Sequence, residues 1–165
     1  MCIRDSSSNV MFSIIETIET TPLQEMFDFV LFSNASGPSL GGLDLDNGVA
    51  VSSASADAEI RDLGIDVNQP AATNWIQSIE PVNGTELRVV DFSNLPDGFS
   101  FAGVTSKEAV SEAFNSGVAV NPSPVLQVGD VLAAASPTAI YIMQVDEVNV
   151  TAADNNDFYR FSIKF

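Results

Sequence analysis

The chain has no histidine, one cysteine and only six basic residues in 165. Each shortage removes a class of chemistry. Without histidine, Ser-His-Asp triads and histidine-bearing zinc sites cannot be built. A lone Cys2 can make no internal disulfide, and thiol catalysis and cysteine-cluster metal sites lose their residues with it. Against six bases stand 22 acids, a formal net charge of −16. Phosphate backbones need a basic surface, so no nucleic-acid partner is expected, and an anionic membrane surface is disfavoured on the same ground. No apolar run reaches the roughly 18 residues of a membrane-crossing helix, so no transmembrane segment is expected. Neither GxxxxGK nor GxGxxG occurs, which removes the usual phosphate loops.

What is present describes a folded β protein. Apolar residues make up 45% of the chain and eleven are Phe, a composition that folds rather than one that stays disordered. A chain of this length can bury roughly 70% of its unfolded surface, enough for one core without staples. The acidity reads as a solvated surface, and it suits a protein exported into salty water, where exposed charges are screened over about 8–10 Å.

The organising stretch is Gly129 to Phe165. Tyr159, Phe161, Ile163 and Phe165 alternate with Arg160, Ser162 and Lys164. That period of two predicts a strand with one buried and one wet face. Ile140 to Val150 is β-branched and aromatic, and Ala139 to Met143 is apolar on both faces, so this strand is expected to lie centrally. Asp130 to Ala135 supplies a third strand. Ser136-Pro137-Thr138 turns the Asp130–Ala135 strand into the Ile140 strand, and Thr151 to Asp157 turns the Ile140 strand into the final one.

Upstream, Met1 to Ser6 resembles a translated sequencing-adapter scar at the edge of a metagenomic reading frame. Residues 1–9 are therefore expected to be disordered or artefactual, with a signal peptide lost before them, and 10–165 to form one domain. Met11 to Thr20 reads as a strand. Thr21-Pro22-Leu23-Gln24 resembles a helix start, giving a helical turn at 22–27 that runs into a strand at 28–33. Asp46-Asn47-Gly48 is a turn between two short strands. A strand is expected from Ile65 on, another at Trp75 to Ile79, and Asn83-Gly84 turns into Thr85 to Phe92. One helix is expected at about 106–116, with Thr105 as its cap, Glu108 closing a capping box and Gly117 at its end. Pro122 and Pro124 keep Val118 to Leu126 extended or on an edge.

Of the chemistry that survives, a carboxylate pair of the glycosidase kind has no specificity in so acidic a chain, and no enzyme activity is expected. Hard cations want carboxylate, amide and carbonyl oxygens on a turn. Asp44 and Asp46 ahead of Asn47-Gly48, and Asp154 and Asp157 around Asn155-Asn156, are the calcium candidates. Neither stretch is an EF-hand, since Ser55 stands where the first would need its glutamate. Calcium apart, no cofactor is expected. Trp75, Tyr141 and Tyr159 are candidates for an aromatic sugar-binding platform, with core packing as the competing fate. Met11, Met26 and Met143 are the methionines that could ligate haem, core filling again being the alternative. Asn-x-Ser/Thr sequons fall at Asn34, Asn83 and Asn149.

GLDLDNGVAV, DAEI and the closing GDVLAA, YIMQV and DFYRFSIKF resemble β-rich secreted or lipid-anchored domains of Bacteroidetes, of which the HmuY-like haem-binding proteins are one branch. Ala56 to Ile60 stands where that family carries its Trp-bearing strand, and its histidine ligands have no counterpart, so no functional residue is carried over. The resemblance implies an extracellular β architecture. Together these readings give a mainly β, antiparallel, sandwich-like domain. Its expected role is a non-catalytic secreted or outer-membrane-surface binding or structural module of a marine bacterium, with a polysaccharide or another surface protein as partner. The alternatives are a calcium-dependent carbohydrate-binding module and an HmuY-like carrier of haem or another small ligand.

Overall fold

The computed structural model describes residues 20–152 and 154–165. The strand expected at Met11 to Thr20 lies outside them except for Thr20. Ten strands and one α-helix follow in order: β1 (Met26–Phe32), β2 (Gly42–Asp44), β3 (Val49–Val51), β4 (Ile60–Asp62), β5 (Ile79–Pro81), β6 (Glu86–Val89), α1 (Lys107–Ser116), β7 (Val118–Val120), β8 (Val131–Ala135), β9 (Ile140–Asn149) and β10 (Phe158–Lys164). They form two antiparallel sheets, β1-β10-β9-β8-β6-β7 and β3-β2-β4-β5. The β8-β9-β10 meander is the middle of the large sheet.

Alternation along that meander sorts side chains between two cores. Leu132, Ala134, Tyr141, Met143, Val145, Tyr159, Phe161 and Ile163 face the small sheet and meet Leu43, Ile60 and Ile79. Val131, Ala133 and Ile142 point the other way, against Val110, Ala113 and Phe114 of α1. The domain is therefore a sandwich with a helix laid on its outer face, and β9 is covered on both sides because its apolar residues occupy both. The expected wet face of β10 is in fact half covered. Ser162 is buried and donates to Asp146 at 2.7 Å. Lys164 Nζ donates to the carbonyls of Phe101, Ala102 and Val104 at 2.8, 3.3 and 3.0 Å, clipping a 3-10 turn onto the sheet.

Several local expectations are corrected. No helical turn forms at 22–27: Pro22 bridges Ser106, and Gln24 N–H donates to the Phe165 carbonyl, so tertiary pairing draws this segment straight. The strand near Ile65 is instead β4, ended by Gly64 at φ +72°, and Ile65 keeps a single bridge to Trp75. The strand at Trp75 to Ile79 shrinks to that bridge plus β5, because Gln77 takes φ +55°. The cap of α1 is Ser106, not Thr105, its hydroxyl accepting from Ala109 N–H at 3.3 Å.

Glu108 does not close the capping box. It accepts Thr21 N–H on both oxygens, at 3.1 and 3.0 Å, strapping the chain ahead of β1 to the helix start. Bonds from the Thr21 hydroxyl, then from backbone N–H groups, hold its carboxyl down at about 2 against an ordinary 4.5. A depressed acid stabilises the fold above its unfolded value and loses that contribution as pH falls through the folded one. Glu108→Gln should lower Tm at neutral pH, and the gap to wild type should close as pH drops from 4.5 towards 2. Paired melts across that range check it.

Candidate functional site

Two clefts share one end of the sandwich. The first, about 380 Å³, is lined by Leu31, Ser33, Gly37, Leu40, Asp157 and Phe158. The second, about 300 Å³, is lined by Thr73, Trp75, Ile76, Val125, Val150 and Asp157. Asp157 lies between them because it enters β10 where the loop from β9 returns. Three loops meet there, and a buried carboxylate ties two of them together. Asp62, fully buried at the end of β4, accepts from Asn34 N–H at 2.7 Å, Gly64 N–H at 3.2 Å and Trp75 Nε1–H at 3.1 Å. Asn34 Nδ2 returns a bond to the Asp62 carbonyl at 3.0 Å. The third loop joins through Asp157, whose carbonyl accepts the Ser33 hydroxyl and whose Oδ1 accepts Thr151 N–H at 2.6 Å and its hydroxyl at 3.2 Å.

Electrostatically this end is one-sided. Burial raises the Asp62 carboxyl above its ordinary value; the three N–H bonds oppose the shift, and the charge of Asp157 adds to it. Burial also pushes the Tyr159 hydroxyl far up, with the Asp62 charge as a second cause. Arg61, Arg88 and Arg160 are paired with Glu80, Glu86 and Glu147, so these three do not compensate it.

At the opposite end of β9 lies a third, polar cleft of about 520 Å³ with Asp44, Asp46, Asp57, Glu59 and Thr138 on its walls. Three of its acids, Asp44, Asp46 and Glu59, are engaged around the β2–β3 turn. Asp44 accepts Asn47 N–H at 3.0 Å and Asn47 Nδ2 at 2.9 Å; Asp46 accepts the Tyr141 hydroxyl; Glu59 accepts Leu45 N–H at 2.7 Å. Burial, then the bond to Asp46, pushes the Tyr141 hydroxyl up to about 12. Gly48 closes the turn at φ +61°, and a Cβ there would fall 2.2 Å from the Phe27 ring, so only glycine fits.

The sequence candidates are thus split. Asp44, Asp46 and Tyr141 sit together at one end; Asp157, Trp75 and Tyr159 at the other. Asp154 is exposed and bonded to Asn156. Among the described residues no three carboxylates gather as a metal centre would need. Trp75, Tyr141 and Tyr159 are 7%, 0% and 0% exposed, so the aromatic platform is replaced by core packing, with the Trp75 and Tyr159 rings 4.4 Å apart. Met143 is core; Met26 is exposed; Met11 lies outside the described residues.

Sequence reasoning missed Asp62 and Phe29. Asp62 had a signal: it follows Ile60 by two, on the inward face of a strand. Phe29 had none. A bulge between Phe27 and Val30 puts it at φ +56° with 62% of its surface exposed. Searches for matching protein families, curated proteins and solved structures found none.

Proposed function

We propose that the chain is a non-catalytic binding module acting outside the cell or at the outer-membrane surface, with a polysaccharide or another surface protein as its partner. The observation that carries the reading is Phe29. A bulky side chain in the left-handed region costs about 1–2 kcal/mol, and burial of the ring does not offset it here. Strain of this kind, with an aromatic ring held in water at a sheet edge, fits recognition better than scaffolding.

The test is affinity electrophoresis against a panel of soluble polysaccharides, with wild type and Phe29→Gly. Glycine relieves the strain, so the variant should melt higher by the equivalent of about 1 kcal/mol while losing retention. Retention untouched by Phe29→Gly, or release of reducing ends from the polysaccharide, would contradict the reading. Absence of retention across the panel would leave the protein partner.

A further inference from the structure

The cleft of about 300 Å³ beside Asp157 has an apolar mouth and one acid in its wall. Ile76, Val125 and Val150 line it with 37%, 58% and 52% of their surfaces in water, and the buried Trp75 indole lies beneath them. Single exposed aliphatic side chains are ordinary. Three around one opening, with few polar groups among them, make the lining of a ligand pocket. Asp157 is the carboxylate of that lining and is 2% exposed. Its Oδ1 is filled by the Thr151 N–H and hydroxyl at 2.6 and 3.2 Å, while Oδ2 has no hydrogen-bond partner among the described residues. A buried carboxylate oxygen left open in this way is rare and calls for a donor.

Charge and geometry say which donor. Each of the five bases among the described residues is engaged elsewhere: three in ion pairs, Lys107 with Gln24 and Lys164 with backbone carbonyls. A buried carboxylate without a countercharge is costly. A neutral donor would complete Oδ2 and leave the charge standing; a cationic donor answers both. A divalent cation needs several ligands, and no group of three gathers among the described residues. A guanidinium is at its best against both oxygens of a carboxylate, and here only one is open. An ammonium is a compact point charge that one strong acceptor can serve, and lysine carries it on a methylene stem that packs along apolar walls.

We propose that this cleft receives a lysine side chain presented by a protein partner. The ammonium donates to Asp157 Oδ2, and the stem lies against Ile76, Val125 and Val150. Asp157 shows little surface, so the lysine tip reaches it through side-chain rotamer changes of the kind common at interfaces. The aliphatic lining favours a protein over a free amine, because the surface around the lysine covers side chains that a free amine would leave in water. The net charge of −16 draws in a basic partner at long range. The proposal rests on the chain's being a binding module and narrows its partner to a protein. It makes no use of Phe29, so that position and this cleft are tested independently.

The test uses the chain's sole tryptophan, which lines this cleft. Acetyl-Ala-Lys-Ala amide added to the whole chain should shift the Trp75 emission saturably. The same peptide with norleucine for lysine lacks only the ammonium and should bind at least about 10-fold more weakly, the scale of a charge-assisted hydrogen bond. Asp157→Asn should remove that preference, while Asp57→Asn in the opposite acidic cleft keeps it. Should Asp157→Asn fail to fold, the exposed position Val150 gives a second reading: Val150→Lys places a tethered ammonium in the cleft and should exclude the lysine peptide, whereas Val150→Met, of similar length, should not. No saturable shift, equal binding of the lysine and norleucine peptides, or a lysine preference that survives Asp157→Asn or Val150→Lys would overturn the proposal. So would n-pentylamine binding as tightly as the lysine peptide, since that would make the occupant a free amine.

Discussion

Replacing Asp62 with alanine is expected to lower the unfolding free energy by about 3–5 kcal/mol. Three N–H groups, those of Asn34, Gly64 and the Trp75 indole, would lose their acceptor inside the sandwich. Each such loss costs about 1–3 kcal/mol, and water entering the gap recovers part of it. Asp62→Asn keeps the shape but turns an NH2 towards one of those donors, so an intermediate loss of about 1–3 kcal/mol is expected. The pH dependence separates charge from shape. A buried acid with a raised value holds its proton more tightly when folded, so its contribution is greatest below pH 3.8 and declines as pH climbs through the folded value. Asn does not titrate, so the Asp62→Asn penalty should shrink across that window. Urea titrations of both variants at several pH values measure it.

The second large effect is expected at Phe161. It is fully buried, pairs across the sheet with Val30 and Val145, and packs its ring against Phe32 and Tyr159 at centroid distances of 6.3 and 5.7 Å. Phe161→Ala removes that ring from a closely packed interior and should cost about 3–5 kcal/mol. Its neighbour supplies the contrast. Arg160 points to the other face and pairs with Glu147 at 2.9 Å in partial solvent contact, so Arg160→Ala should cost under about 1 kcal/mol. If the two variants lost similar amounts in urea, the assignment of inner and outer faces along β10 would be wrong.

Legibility in the sequence followed the range of the interactions involved. The β8-β9-β10 meander could be read because alternation of Tyr159, Phe161 and Ile163 is a local pattern, and α1 because its apolar stripe and its stop at Gly117 are local too. The stretch from Thr21 to Phe27 misled because its cap-like residues are satisfied at a distance, by Glu108, Ser106 and Phe165. The bulge at Phe29 and the left-handed turns at Gln77 and Asn155 reflect how strands meet, which no single segment encodes. At the candidate site, the residue types of Asp157, Trp75 and Tyr159 are legible in the sequence, but the surroundings that bury them are not. Trp75 and Tyr159 follow the core-packing alternative, since large aromatic side chains near sheet centres bury their rings and aim their polar atoms inward. Asp62 is hard to single out because Asp57, Glu59 and Arg61 just before it make the segment read as an ordinary charged stretch.

The central claim is that the loops at this end of the sandwich are fastened into the core by one buried carboxylate, and that this fastening shapes both clefts. Hydrogen exchange at the Asn34 and Gly64 amides and the Trp75 indole tests it most directly. The account predicts that all three exchange as slowly as the β9–β10 ladder and that all three speed up together in Asp62→Ala. Exchange at the rate of free loops in the unaltered protein would contradict it.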